Sequence, residues 1–243
     1  MKNLKELKKI ELPRKYKATL PKYEKYNNWQ KVSYSQLGSI KEYKAGYIQD
    51  YILGVGNGEA GIFASYGSAV GEYFEKGEFN ELLSDFDIET IGRIKKHKTS
   101  TFESEIVIDL EPFGLEKTCL QGFSDHEFIL KSEKFIEDLK TGNSTNMQDK
   151  YGNMLKYYQT RIYAYQRENE GEVIGGCKVL HLGRKGNNTV RGDKNCLRLN
   201  GDIDEIETPY KREDVEKYLR EVVVPSCEEI SDYFQVYQKY FAQ

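Results

Sequence analysis

The chain has 243 residues and a formal net charge of −3, from 36 basic and 39 acidic side chains, so bulk charge does not make it a polycation and any nucleic-acid binding must come from local patches. Apolar residues make up 38% of the chain, but 19 Tyr and 11 Phe supply large core side chains, which excludes an intrinsically disordered protein. No apolar run reaches the roughly 18 residues of a membrane span, the Lys-rich start has no signal-peptide core, and Cys119, Cys177, Cys196 and Cys227 form no C-x-x-C pair, so an intracellular, cytoplasmic protein with free thiols is expected.

The first 25 residues hold nine Lys or Arg against three Glu, with Pro13 and Pro21 interrupting any continuous helix. This reads as a basic arm over 1–30, outside the core, followed by a single domain over 31–243. A helix is expected from the serines of Val32-Ser-Tyr-Ser-Gln-Leu37 toward Leu53, where Gly54, Gly56, Gly58 and Gly61 break it, and a second near Gly67 to Leu83. The glycine run matches G-x-G-x-x-G, yet it follows a helix instead of a strand and reads as a loop, not a dinucleotide site.

From residue 101 the periodicity changes. Phe102 to Leu110 reads as a strand closed by the turn Glu111-Pro-Phe-Gly114, and Thr118 to Phe128 and Lys134 to Lys140 as two more, joined by the hairpin signal Lys131-Ser-Glu133. An amphipathic helix is expected over Tyr151 to Arg167, ending at Gly171, then strands near 173–183 and 196–207 and a last helix from Lys211 to Phe241. This order predicts an α/β fold with a central mixed sheet flanked by helices.

Two stretches carry chemistry. On a strand alternate residues share a face, so Asp138 and Lys140 project together while Leu139 packs the opposite way, and a short hairpin brings Asp125 beside Asp138. Two carboxylates held together next to an ammonium suit a hard divalent cation, and oxygen ligands suit Mg2+ or Mn2+. Taken alone each residue has a plainer reading: a D-x-K on a strand is usually a solvated face, and Asp125 a turn residue at a strand end.

In this order and spacing, Gly122-Phe-Ser-Asp125, Asp138-Leu-Lys-Thr-Gly142 and Gln159-Thr-Arg-Ile-Tyr163 resemble the G-x-x-D, D-x-K-T-G and Q-x-x-x-Y motifs of the PD-(D/E)xK nuclease superfamily, in the branch related to the RecB nuclease domain, Cas4 proteins and phage-type exonucleases. The resemblance covers residues 32–167 and extends to Val32-Ser-Tyr-Ser-Gln-Leu37, which is similar to the S-x-S-x-L opening of these domains. It implies a restriction-endonuclease-like core and a Mg2+- or Mn2+-dependent deoxyribonuclease, an exonuclease of phage or recombination-repair type acting in a bacterial or phage-infected cell. DNA is the implied partner, with a homo-oligomer or a recombination protein as further ones.

The same resemblance implies that Asp125, Asp138 and the Leu139 carbonyl hold the metal, that Lys140 orients the attacking water, and that Gln159 and Tyr163 support the site. Gly67-Ser-Ala-Val-Gly71-Glu72 is similar to the family's G-x-x-x-H-E, but Gly71 stands where a metal-binding His is usual, so Glu72 or water would complete the coordination. The cysteine cluster of the Cas4 members is absent, and no iron-sulfur cluster is implied. The rival reading is a nuclease-fold DNA-binding or assembly protein without turnover, supported by Gly71. Candidate phosphate contacts are the arm, the run Arg93, Lys95, Lys96 and Lys98, and the group Arg184, Lys185, Arg191, Lys194 and Arg198, each with ordinary surface charge as its plainer reading.

Overall fold

The computed structural model describes residues 14–53, 61–143, 145, 147–153, 156–186 and 197–241. In chain order its elements are β1 (Gln30–Ser33), α1 (Tyr34–Glu42), α2 (Lys44–Tyr47), α3 (Ile62–Lys76), α4 (Asp85–Gly92), β2 (Thr101–Asp109), β3 (Thr118–Leu130), β4 (Glu133–Gly142), α5 (Gln159–Asn169), β5 (Ile174–Lys185), β6 (Arg198–Glu207), α6 (Arg212–Tyr218) and α7 (Val224–Phe241). Six strands form one mixed sheet in the order β1-β3-β4-β5-β6, with β2 paired to β3. β1 runs parallel to β3 and β4 parallel to β5, while β3–β4 and β5–β6 are antiparallel. This is the mixed α/β arrangement with flanking helices that the element order predicts.

The chain divides into two compact units: 1–59, 105–122 and 212–243 form one, and 60–104 with 123–211 the other. In the first, the segment expected to be a basic arm instead contributes core residues. Tyr16, Tyr23 and Tyr26 are buried with Val107 and Cys119, because tyrosines hide their rings while the lysines between them stay outside. Residues 1–13 lie outside the described part. α1 begins at Ser33, which closes a capping box with Gln36, and it ends at Tyr43, whose backbone (φ −152°, ψ 84°) leaves the helical region, so the expected run to Leu53 is broken. The last helix is likewise divided, by a π turn over Leu219–Val223 just before Pro225, whose missing N–H and ring cannot continue an α ladder.

The second unit holds α3, α4, α5, most of β3, and β4 to β6. α3 starts at Ile62, earlier than expected, and stops at Gly77, which takes the left-handed conformation (φ 73°). α4, unforeseen in the sequence, is opened by a capping box between Ser84 and Asp87. α5 begins at Gln159, eight residues later than expected, after a π turn over Gln148–Gly152. One apolar cluster gathers Tyr66, Val70, Phe74, Ile91, Leu182, Leu197 and Leu199, with Phe63, Leu82, Phe102 and Leu139 packed on its margin.

Among the described residues no helix is long and apolar enough to cross a membrane, and Cys119, Cys177 and Cys227 are free and buried. Cys196 lies outside the described residues, as do Arg191, Lys194 and all but Gly61 of the glycine run.

Candidate active site

The site is built on the β3–β4 hairpin. Its turn residues Lys131 and Ser132 have φ of 52° and 68°, the left-handed pair of a two-residue hairpin whose twist matches the strands. That turn fixes the register: Leu130 faces Glu133, and the ladder runs to His126 opposite Glu137. One further step along the same register sets Asp125 against Asp138. There the ladder gives way to a side-chain contact in which Asp125 Oδ2 accepts the Leu139 N–H at 2.8 Å. The amide and carbonyl of one strand residue leave by the same edge, so the Leu139 carbonyl also faces the β3 side.

Asp138 is 1% exposed, and neither of its carboxylate oxygens receives a well-formed hydrogen bond. Lys140 Nζ lies 2.5 Å from Asp138 Oδ2 as an ion pair. A buried carboxylate that no neutral donor fills is rare because each unmade bond costs about 1–3 kcal/mol, more for a charged group. Burial, followed by the charge of Asp138, pushes the Asp125 carboxyl up to about 7 against the opposing pull of Lys140 and the Leu139 amide. Burial also works against the Lys140 ammonium, but Asp138 and Asp125 together outweigh it and hold its pKa above the usual lysine value.

Asp125 and Lys140 border a cavity of about 610 Å³, lined also by Leu139 and Thr141 from β4, by Phe102 and Glu103 from β2, and by one face of α3, while Asp138 is not among its lining residues. The helix can approach because of Gly67: a Cβ there would stand 3.3 Å from Thr141 Oγ1, tighter than ordinary packing. Gly71, one turn on, also lines the cavity, and a Cβ added to it meets nothing within 4 Å.

The remaining expected residues divide. Glu72 reaches the cavity wall but is exposed, and among the described residues no group of three or more His, Cys, Asp or Glu that could hold a metal ion is found. Gln159 and Tyr163, on α5, are bonded to each other, Gln159 Nε2 donating to the Tyr163 hydroxyl at 3.0 Å, and are not among the cavity's lining residues. His126 turns away from the carboxylates, as strand alternation requires: Nδ1 is 2.7 Å from Glu137 Oε2 and Nε2 2.8 Å from Ser100 Oγ.

Two acids were not anticipated. Glu103 and Glu75 line the same cavity, and partial desolvation, then Glu75 and Asp138, raise the Glu103 carboxyl. Glu75 shares a helix face with Gly71 and could have been read from i, i+4 spacing. Glu103 could not, because its φ of 45° inside a strand has no signature in the residue type.

The basic candidates also separate. Arg93 donates to the Gly201 carbonyl, Lys96 lies over the Phe74 and Phe102 rings at 5.2 and 5.4 Å from their centroids, and Arg184 lies over the cavity residue Phe63 at 4.1 Å. Lys95, Lys98 and Lys185 are exposed.

No family model matches the chain, and no curated protein matches it. Among solved structures the crystal structure of SSO0001 is similar at 12% identity, over 80% of this chain and 76% of that one, with a TM-score of 0.41, a likeness too slight to carry an argument.

Proposed function

We propose that this chain is a Mg2+- or Mn2+-dependent deoxyribonuclease with a restriction-endonuclease-like core, working on DNA ends in recombination or repair of the phage type. The observation that carries the reading is Asp138: a buried carboxylate beside Asp125 whose one close cation among the described residues is Lys140. Two carboxylates against one ammonium leave an excess negative charge in a desolvated place, and Asp125 accordingly holds its proton to about pH 7. A hard cation would relieve that excess, so the residues present fit one, with Asp125, Asp138 and the Leu139 carbonyl as its holders and water for the rest. When bound it would supply Lewis acidity and an activated water. The order and spacing of the three motifs support the same reading.

Lys140 has the part that the chain's own atoms make plainest. Its ammonium stays protonated through neutral pH and borders the cavity, so it can stabilise negative charge developing on a phosphoryl group and align the attacking water. Phe63 and Phe102 wall the cavity with apolar surface, which strengthens charge interactions inside it. Gln159 and Tyr163 have only an indirect, positioning part in this scheme.

The test is incubation of the full chain with end-labelled linear and circular DNA in Mg2+, Mn2+ or EDTA. Linear DNA should be degraded only with metal, and Asp138→Asn should lower the rate on the order of 10²- to 10³-fold or more. Equal turnover in EDTA, or an undiminished Asp138→Asn, rejects the assignment. The second reading, a DNA-binding protein without turnover, is favoured by the lack of a third gathered ligand among the described residues. Binding without hydrolysis at any metal concentration selects it.

A further inference from the structure

A second concavity lies in the same unit as the candidate site. It has a volume of about 470 Å³ and is lined by Leu82, Ser84, Phe86, Lys185, Leu197 and Arg198. Its floor, Leu82 and Leu197, belongs to the same apolar cluster that Phe63, Phe102 and Leu139 border at the cavity. Among the described residues the lining contains two cations, one aromatic ring and no acid. The size is that of a small-ligand site.

Two features of this groove are costly in the free protein. Lys185 and Arg198 are direct partners across β5 and β6, and neither makes an ion pair among the described residues. Like charges opposed across strands are destabilising, so their position asks for an anion. Phe86, in the first turn of α4, is 48% exposed. Its ring rests against the bare backbone of Gly201, where a Cβ would come within 3.3 Å of Cζ. Gly201 has φ of 94°, which suits glycine, and Arg93 ties its carbonyl. The ring is thus seated on Gly201 and about half exposed. Ser84 is occupied at the start of α4, bonding Asp87, and leaves the ring and the two cations as the groups free to bind.

A planar apolar ring beside two cations that make no ion pair among the described residues is the pattern that holds a nucleotide with its base stacked and its phosphates neutralised. We infer that this groove binds a segment of single-stranded nucleic acid, a base stacked on Phe86 and adjacent phosphates on Lys185 and Arg198. Duplex hides its base faces and could not use Phe86, so the inference names the strand state of the substrate. It rests on the nucleic-acid part of the proposed function and not on the metal chemistry.

The experiment reads binding in EDTA, by fluorescence anisotropy of a labelled 12-residue oligo-dT, an abasic strand of equal length and a duplex. Wild type should hold oligo-dT about 10-fold tighter than the abasic strand, in keeping with one stacked base. Phe86→Ala should remove that preference, and Phe86→Trp should keep it. The double variant Lys185→Gln/Arg198→Gln should keep the preference, bind more weakly, and lower the salt slope by about 1.4, two single-strand phosphates. Circular dichroism of each variant separates misfolding from lost contact, and the Trp variant retains an aromatic ring should the Ala variant misfold. Phe86→Ala and the double variant binding like wild type would overturn the groove, as would equal wild-type affinity for oligo-dT and the abasic strand. A chain that binds in this pattern but hydrolyses nothing keeps the groove and removes the catalytic reading. A chain that hydrolyses DNA while the groove variants bind unchanged does the reverse.

Discussion

Two buried carboxylates, one in each compact unit, show opposite solutions to the same problem. Glu105, 3% exposed, is surrounded by neutral donors: Tyr16 at 3.0 Å and Gln121 at 2.7 Å reach Oε1, Thr19 bonds Oε2, and the Tyr23 hydroxyl donates to the Glu105 carbonyl at 3.2 Å. Asp138, 1% exposed, has Lys140 beside it and no such shell. A carboxylate whose lone pairs are filled by protein donors fastens the fold, here tying residues 16–23 to β2. A carboxylate whose close partner is one ammonium, near a second carboxylate, is instead the centre of the proposed site.

The largest effect that would break this comparison is at the fastened site. Glu105→Ala leaves the Tyr16 and Gln121 donors buried without an acceptor and should cost about 3–5 kcal/mol in chemical denaturation. A loss under about 1 kcal/mol would show that Glu105 is not what holds the segment.

At the other site the sign should reverse. The Asp125 carboxyl is raised from its ordinary 3.8 to about 7, so the folded state takes up a proton more readily than the unfolded one, and this group's contribution to stability falls as pH rises through that window. Asp125→Asn removes the ionisation. In EDTA it should therefore raise the melting temperature at pH 8 and give a gain that shrinks steadily toward pH 4. A gain independent of pH would detach the effect from the carboxyl charge. His181, fully buried, runs the other way: burial lowers its pKa below 6.5, so the stability it contributes is lost as pH falls through that value. The Asp125 profile should accordingly be read as the difference between wild type and variant.

The smallest effect concerns the helix wall. A Cβ at Gly71 meets open space, and an interior glycine costs about 1 kcal/mol relative to alanine, so Gly71→Ala should stabilise the protein by roughly that amount. Destabilisation would mean that the wall needs the bare backbone. In the same position Gly71→His has room to extend into the cavity, and isothermal titration with Mn2+ should then show tighter binding than wild type.

The sequence by itself determined much of this molecule. Strand alternation and the hairpin signal at Lys131-Ser-Glu133 were enough to set Asp125 against Asp138 and to project Lys140 on the same face, because the period of two and a two-residue turn leave one register open. Capping chemistry marked the start of α1 at Ser33 for the same local reason. What lay beyond local pattern was decided by the tertiary structure. Lysine density suggested an arm where three buried tyrosines build a core, since charge counts do not tell which side of a segment faces inward. The Glu103 backbone at φ 45°, the close seat of Gly67 on Thr141 and the pairing of Lys185 with Arg198 each depend on a neighbour distant in sequence. Asp138 joins both kinds. Its position on the strand is local, but how its carboxylate is partnered is a property of everything packed around it.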